Sequence, residues 1–336
     1  MSASEGDFSV QLFLDDRKID ARSFGITNPE SFVDAAKSGF PGICESIRHA
    51  VKTWPNPTIV FRGHANCAWG IRSTLHRVLS GSGDPKVTET GLWDAEQRVI
   101  KAARDPIRVD GDRYGARLGL NLSDGQLLAV LQHQGAPTRF VDVTEDARVC
   151  LYFACEELDS VDGRLFFIAL PDRNALPPAS NYLDKGTLLD LGGEGGDLPW
   201  LGGARGTKMA DSDWTSRVFL VDAGGLDPRM SAQRGLFVVG GCNRAYPSRN
   251  LSWNRRYLSS DELLQVSSLS IGFPKDLRSQ KTRAWPAVAW TVKIPASAKP
   301  RIRSLLAQAG VDRDSLYPDY AGFSQLAILS ARPTST

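Results

Sequence analysis

Apolar and polar residues follow two different periods along this 336-residue chain, and the period predicts the elements. Residues 8–14 and 286–294 alternate between apolar and polar positions, which predicts strands with one buried face. Residues 164–170 are nearly all apolar, which predicts a strand that is buried on both faces. Shorter apolar, β-branched or aromatic runs predict further strands at residues 58–61, 140–143, 217–221 and 236–239.

Helices are predicted where apolar residues recur every three or four positions between start and stop signals. Ser123 and Gln126 form a capping-box pattern at the start of one such helix, which Gly135 ends. Thr144, followed by two acidic residues, predicts the start of the next helix. Further helices are predicted at residues 29–38, 42–53 and 90–104 and after Ser297, whereas residues 73–77 are predicted to be extended.

The order of these elements predicts the fold class. Helices and strands are mixed, and several strands lack crossover helices, which favours an α+β fold over a doubly wound sheet. We therefore expect a mixed or antiparallel sheet core with flanking helices.

Residues 171–213 are rich in glycine and proline and show no periodicity. A long connection of this kind is typical of a functional lid or a disordered insertion. Its glycines are not followed by Gly-Lys-Ser or Gly-Lys-Thr, so the segment is not a phosphate loop. We predict a mobile loop that closes over a site.

Composition predicts a cytoplasmic protein without a membrane segment. The formal net charge of +2 gives no general attraction to nucleic acid or to an anionic membrane. Five cysteines include no pair at zinc-ligand spacing, and their odd number argues against a disulfide framework. No apolar run reaches the roughly 18 residues that a membrane helix needs. Neither a metal nor a membrane partner is expected, and the oligomeric state stays open.

The polar residues of residues 123–155 are concentrated at the two junctions between its predicted elements. They are His133, Gln134, Thr138, Arg139, Asp142 and Thr144. One interpretation is structural, with caps, turns and a pair between Arg139 and Asp142, because buried polar groups are usually satisfied within the fold. The other is a ligand site, since a rigid frame presents polar groups at the ends of its elements. Both interpretations stay open from the residues alone.

Two further positions are candidates for binding or catalysis. Arg62 and Gly63 follow the strand at residues 58–61, where an arginine suits a phosphate or carboxylate and a glycine lets a ligand approach the backbone. Glu96 lies next to the apolar stripe of the helix at residues 90–104. It is expected either at the edge of the core or pointing into a cleft.

These motifs together resemble the FRG domain family, which is named for an aromatic-Arg-Gly motif. The resemblance rests on Phe61-Arg62-Gly63, on the run from Gln132 to Arg139, on Leu151-Tyr152-Phe153-Ala154 and on Gln233-Arg234-Gly235. In the order of its motifs it extends over residues 58–328. The resemblance therefore implies a main domain at residues 58–328, an N-terminal extension at residues 1–57 and a tail at residues 329–336. The family is mostly bacterial or phage-associated, so the resemblance implies a toxin or phage-defence context.

A second similarity is to the ADP-ribosyltransferases of the Arg-Ser-Glu class. Phe61-Arg62-Gly63 is similar to their arginine-ended first strand, and Asp142-Val143-Thr144 with the following helix is similar to their Ser-Thr-Ser segment. Gln233 stands where that class has glutamates, which puts arginine-directed transfer in doubt. The similarity implies an ADP-ribosyltransferase-like form of the α+β fold and NAD as the substrate.

The similarity also implies residue roles for transfer of ADP-ribose or hydrolysis of NAD. The implied catalytic residues are Asp142, Glu96, Gln233 and His133, and the implied NAD-binding residues are Arg62, Gly63, Arg139, Thr144, Tyr152 and Phe153. His133 is either a general acid/base or an anchor for its turn. The acceptor, a protein or a nucleic acid, stays open.

The alternative function is a non-catalytic module that recognises a nucleotide, nucleic acid or protein in a defence system. Its support is the departure at Gln233 and the aromatic and basic segment Trp253-Asn254-Arg255-Arg256-Tyr257. A surface role for that segment is the simpler interpretation, because the net charge gives nucleic-acid binding little general support.

Overall fold

In the residues that it describes, the computed structural model contains a mixed sheet of ten strands. The structure describes residues 8–11, 18–52, 54, 56–81, 87–104, 122–171, 188–191, 198, 200, 217–223, 225–241, 252–253, 256–257, 266–273 and 285–318. The strands are β1 (Ser9–Gln11), β2 (Lys18–Asp20), β3 (Thr58–His64), β4 (Val141–Thr144), β5 (Gly163–Leu170), β6 (Leu188–Asp190), β7 (Val218–Asp222), β8 (Gly235–Gly240), β9 (Ser252–Trp253), β10 (Arg256–Tyr257), β11 (Ile271–Gly272) and β12 (Ala287–Ile294). The sheet order is β2, β1, β12, β5, β3, β4, β8, β7, β6, with β11 beside β12 and with β9 and β10 forming a separate ribbon. The β6–β7 and β11–β12 pairs are parallel, and the other pairs are antiparallel.

Helices flank this sheet. They are α1 (Pro29–Lys37), α2 (Pro41–Ala50), α3 (Thr74–Gly81), α4 (Glu89–Arg104), α5 (Asp124–His133), α6 (Ala147–Cys155), α7 (Pro228–Ala232), α8 (Lys299–Gln308) and α9 (Arg313–Leu316). The combination confirms the predicted α+β class with a mixed sheet. Its relation to the ADP-ribosyltransferase fold stays a prediction.

Strand β5 lies in the middle of the sheet, and its eight residues are all buried, as the apolar run predicts. Alternate side chains point to opposite faces. Phe167 belongs to a core with Phe61 and Trp290 beneath the helices α1, α2, α6 and α8. Phe166 and Ile168 belong to a second core on the other face. The predicted double burial of this strand is therefore confirmed.

The first residues of the chain join the same sheet. Strand β1 pairs with β12 over Ser9–Gln11, and helices α1 and α2 contribute to the core that contains Phe61 and Phe167. Of the predicted loop at 171–213, the structure describes Pro171, β6 and three buried residues, Leu191, Leu198 and Trp200. The rest of that loop and the tail at 329–336 lie outside the described residues.

Helix α6 crosses strand β3 at Gly63. A β-carbon at Gly63 would overlap the backbone carbonyl oxygen of Cys150 and lie 2.7 Å from the backbone nitrogen of Ala154. Gly163, on the neighbouring strand, faces the Ala154 carbonyl oxygen in the same way. Glycine is thus required at both positions because helix and sheet backbones approach closely there.

A buried lysine fastens the end of α6. Lys299 is fully buried, and its ammonium donates to the backbone carbonyl oxygens of Ala65 (2.6 Å), Glu157 (2.9 Å) and Leu158 (3.0 Å). These three bonds satisfy every donor of the ammonium group. Helix α8 is therefore tied both to the loop after β3 and to the chain that leaves α6.

Two local predictions were wrong. Residues 74–77, predicted as extended, form the start of α3, because the Ser73 hydroxyl accepts a hydrogen bond from the backbone nitrogen of His76. Helix α6 is capped by Asp146, which accepts from the backbone nitrogen of Arg148, and not by Thr144. The Thr144 hydroxyl instead accepts from the backbone nitrogen of Asp146 at 3.0 Å.

Candidate functional site

A cavity of about 630 Å³ opens beside the ends of β3, β4 and β8. Helix α6 forms one wall, and the chain around Trp69 and Arg77 forms another. Residues near Arg229 and Tyr317 complete it from the C-terminal part of the chain. The volume falls within the ~300–1,000 Å³ that is typical of small-molecule sites.

The cavity brings together most of the residues that the sequence singles out. It is lined by Arg62, Gly63, His133, Asp142, Thr144, Phe153 and Gln233. Glu96, Arg139 and Tyr152 are not among its lining residues. Segments that are far apart along the chain therefore converge on one site, although their roles stay predictions.

Arg62 is held in place by the protein. Its Nε donates to Nε2 of His64 at 2.6 Å, and its Nη1 donates to the backbone oxygen of Asp142. The same Nη1 lies 3.7 Å from the Asp142 carboxylate, and the Arg62 side chain is 18% exposed. Among the described residues, Nη2 makes no hydrogen bond. This nitrogen is the one that remains for a ligand.

His64, which sequence reasoning left without a role, fixes the direction of Arg62. Because Arg62 can only donate, Nε2 of His64 must be the acceptor, and the ring proton lies on Nδ1. Nδ1 in turn lies 3.0 Å from the backbone oxygen of Trp69. Burial, and next the positive charge of Arg62, hold the pKa of His64 well below its usual range. The ring is therefore neutral and has one defined tautomer.

Asp142 combines two hydrogen-bonding neighbours with access to the cavity. Its Oδ2 accepts from the side-chain amide of Gln132 at 3.0 Å, and Gln132 accepts in turn from the Thr138 hydroxyl at 2.7 Å. The Asp142 side chain is 49% exposed. A carboxylate is thus oriented toward the site by the end of α5. The structural interpretation of an Arg139–Asp142 pair is wrong, since Asp142 pairs with Arg62.

Thr144 and Gln233 make their hydrogen bonds mainly to other groups of the protein. The Thr144 hydroxyl donates to the backbone oxygen of Gln233 at 2.7 Å, which joins β4 to the turn before β8. The side-chain amide of Gln233 donates to the backbone oxygen of Leu316 at 3.0 Å. Thr144 has no proton left for a ligand in this arrangement, whereas the side-chain oxygen of Gln233 can still accept.

Glu96 and Arg139 form a buried network outside the cavity. Arg139 donates to Glu96 at 2.8 Å and to Glu89 at 2.5 Å, and the Trp200 indole donates to Glu96 at 3.0 Å. Glu96 is fully buried, and burial raises the pKa of its carboxyl. The predicted catalytic role of Glu96 and the predicted NAD-binding role of Arg139 therefore have no geometric support. Both residues connect α4 to the chain before β4.

Residues 57–163 match the FRG domain. This match confirms the resemblance seen in the sequence for that part of the chain. No curated protein and no solved structure matches the chain. The FRG segment supplies Arg62, His64, Asp142 and Phe153, whereas Gln233 and Tyr317 come from the chain that follows it.

Outside the FRG segment, Tyr317 forms a wall of the cavity. Two guanidinium groups lie over its ring, that of Arg229 at 5.2 Å and that of Arg313 at 5.5 Å from the ring centroid. Its hydroxyl donates to Glu156 at 3.1 Å. Burial raises the pKa of the Glu156 carboxyl, and the bond from Tyr317 opposes that shift. The site therefore holds the Glu156 carboxyl in addition to that of Asp142, and Glu157 also lines it; sequence reasoning missed both glutamates.

Two other lining residues have restricted chemistry. Cys150 is fully buried, and burial raises the pKa of its thiol well above the usual range, so the nucleophilic thiolate is disfavoured. His133 packs its ring against Phe237, with centroids 5.6 Å apart. A Cys-His hydrolase is thus a poor description of the FRG segment.

Two further findings on the described part of the chain concern metal sites and membrane-spanning helices. The described residues contain no group of three or more His, Cys, Asp or Glu side chains that could hold a metal ion. Within the same residues, no helix has both the length and the apolar character needed to cross a membrane.

Proposed function

We propose that the cavity binds NAD and that the chain cleaves the bond between nicotinamide and ribose. The observation that carries the proposal is the convergence of Arg62, Asp142 and Gln233 on one cavity. Arg62 and Asp142 come from the two segments whose motifs are similar to those of ADP-ribosyltransferases, and Gln233 stands where that class has glutamates. The ADP-ribose is then passed to a macromolecule or to water.

The chemistry sets three demands on such a site. As in glycoside cleavage, the transition state resembles an oxocarbenium ion, so the site must hold the diphosphate, fix the ribose and stabilise positive charge on the sugar. Nη2 of Arg62 is available for the diphosphate. The side-chain oxygen of Gln233 can accept from a ribose hydroxyl, and the Asp142 carboxylate can stabilise the developing cation.

In the proposed reaction, the bond that breaks is matched by a bond that forms. The electron pair of the ribose–nitrogen bond leaves with nicotinamide, whose ring nitrogen loses its positive charge. An acceptor hydroxyl or amine, or water, forms the new bond to the ribose carbon and releases a proton. Glu156, whose pKa is raised by burial, lines the same cavity and suits the role of proton acceptor. The aromatic ring of Phe153, also in the lining, suits the nicotinamide.

Nicotinamide release from NAD tests the proposal. Purified protein is incubated with NAD, with and without cell lysate as the source of acceptor. We expect Asp142→Asn and Arg62→Ala to lower the rate by about 10²-fold or more, which is typical for loss of one electrostatic contact to a transition state. Asp34→Asn and Arg48→Ala, exposed substitutions on α1 and α2, serve as controls. If the wild-type protein releases no nicotinamide, or if all variants release it equally, the proposed activity is refuted.

A second candidate is a non-catalytic module that binds the same nucleotide as a sensor. It is favoured by the internal use of the Thr144 hydroxyl and the Gln233 amide, which leaves fewer groups for the ribose. Calorimetric binding of NAD without nicotinamide release would support this candidate. The related proposal for nucleic acid rests on the ribbon of β9 and β10, which carries Trp253 and Arg256.

The family resemblance supports a biological use in growth inhibition or phage defence, within the cytoplasm. Controlled expression in bacteria tests it by comparing wild type with Asp142→Asn. Growth arrest by the wild type alone, with a fall in cellular NAD or with modified macromolecules, is the expected result. Equal growth of both strains at equal protein levels would oppose a toxin.

A further inference from the structure

Two arginines line the cavity together with Arg62 and form no ion pair within the described part of the chain. Arg72 donates to the Ser80 hydroxyl at 2.9 Å, and Arg77 donates to the Thr74 hydroxyl at 3.0 Å. Neither forms an ion pair with any described residue. The Nε atom of Arg72 is buried and, within the described chain, has no hydrogen-bond partner. Two guanidinium groups therefore line the cavity without an ion-pair partner among the described residues, although the carboxyl groups of Asp142, Glu156 and Glu157 line other parts of it.

The three guanidinium groups line the same cavity, so their positive charges repel one another. Burial lowers the pKa of Arg72, and the charge of Arg77 lowers it further. The charge of Arg77 also lowers the pKa of Arg62, after burial and against the opposing effect of Asp142. Clustering of like charges raises the free energy of the empty site, and a multiply charged anion would relieve it.

An exposed aromatic ring lies in the same wall. Trp69 is 49% exposed, which makes it one of the few large apolar residues at the described surface. It lines the cavity and meets the His64 ring in an edge-type contact, with centroids 6.2 Å apart. Its backbone is fixed by the bond to Nδ1 of His64. The His64 ring thus contacts the indole on one side, and about half of the residue stays open to a planar ligand.

We propose that Trp69, Arg72 and Arg77 form a subsite for the base and phosphates of a nucleotide. The indole stacks on the base, and the two guanidinium groups bind the phosphates together with Arg62. Aromatic stacking accepts any base, and arginine forks match phosphate oxygens. The inference rests on the proposed function for the choice of NAD, whose adenosine diphosphate half then occupies this subsite. The nicotinamide half extends toward Phe153 and Tyr317.

Binding of ADP, measured by calorimetry on the full chain, tests the subsite without any turnover. Pyrophosphate is the second ligand because it carries the charge without the base. We expect Trp69→Ala to weaken the binding of ADP at least tenfold and to leave the binding of pyrophosphate nearly unchanged. Arg72→Gln combined with Arg77→Gln should weaken both ligands at least tenfold. Arg48→Ala, an exposed change on α2, should weaken neither.

The salt dependence of ADP affinity separates the contribution of base stacking on Trp69 from that of the arginine–phosphate contacts. Since arginine–phosphate contacts are screened by salt, wild-type ADP affinity should fall steeply as salt is raised, and the double-arginine variant should show a shallower slope. Urea unfolding of each variant shows that the fold is retained. The subsite is overturned if the wild type does not bind ADP, or if Trp69→Ala and the double-arginine variant bind it as well as the wild type. ADP binding with these losses but no nicotinamide release supports the subsite and refutes only the proposed enzyme.

Discussion

Arg62 donates its Nε proton to Nε2 of His64 across 2.6 Å, so a neutral histidine sets the direction of the arginine at the centre of the cavity. Replacing His64 with leucine removes that acceptor and leaves a buried guanidinium N–H without a partner. We expect a loss of about 1–3 kcal/mol in the free energy of unfolding, measured in urea. His64→Gln offers a carbonyl oxygen to the same Nε and should recover part of the loss. Equal losses in both variants would argue against the hydrogen bond as the cause.

Acid should destabilise the protein through His76. This residue is buried, its ring nitrogens make no hydrogen bond to the described chain, and burial, with the charge of Arg72, lowers its pKa from 6.5 to about 4. Because the folded pKa is the lower one, the unfolded state binds more protons between these values. Stability is therefore complete above pH 6.5 and falls as the pH drops toward 4.

Substitution of His76 by leucine measures this contribution. Between pH 7.5 and pH 5, a range chosen around the usual histidine pKa of ~6.5, the wild type should lose on the order of 1–2 kcal/mol more than His76→Leu. Urea unfolding at the two pH values gives the difference. Parallel losses in both proteins would show that His76 is protonated without cost in the folded state.

Gly63→Ala should be among the most damaging single substitutions in the FRG segment. Its new methyl group would overlap the Cys150 carbonyl oxygen, so α6 must move away from β3. Overpacking of this kind costs about 1–3 kcal/mol, and more where backbone is displaced. The midpoint of thermal unfolding measures the effect.

Gly81→Ala provides the matched control, because a β-carbon at Gly81 meets nothing within 4 Å. It should leave the midpoint unchanged or raise it slightly, since alanine favours helix. A Gly63→Ala protein as stable as this control would contradict the close approach of helix and strand.

The buried network of Glu89, Glu96 and Arg139 should affect stability and not turnover. Arg139→Met leaves two buried carboxyl groups without their cation and should cost about 3–5 kcal/mol in urea unfolding. Glu96→Gln keeps the shape and removes one charge, so its cost should be smaller. The folded Glu96→Gln protein should also bind ADP and release nicotinamide like the wild type. A selective loss of nicotinamide release would return Glu96 to the list of catalytic candidates.

Local pattern was sufficient for much of the sheet. The apolar run at 164–170 predicts β5, and the short runs near Arg62 and Asp142 predict β3 and β4. These predictions succeed because the burial of a strand depends on the local order of apolar residues along the chain. Residues 74–77 were predicted wrongly because a single hydroxyl, that of Ser73, turns the chain into α3. A cap of this kind is a signal of one residue, and the residues next to it are also compatible with a strand.

Partners across the fold could not be predicted in the same way. Arg139 was paired with Asp142, three positions away, whereas its carboxylates come from α4, which lies more than forty residues earlier. His64 was visible next to Arg62, but its role depends on the loop that returns the Trp69 carbonyl to it. Tyr317 reaches the cavity because α9 packs beside α7, a contact without a local signature.

Strand β5 has a consequence for where the protein can be cut. The match to the FRG domain ends at residue 163, at the first residue of β5, although β5 lies between β3 and β12 in the sheet. A fragment of residues 57–163 would leave one edge of β3 unpaired and would lack the Lys299 ammonium that binds Ala65. The stretch that matches the FRG domain is therefore smaller than the unit that folds. Expression of that stretch alone should yield aggregated chain, and a usable truncation must retain the sheet through β12 and helix α8.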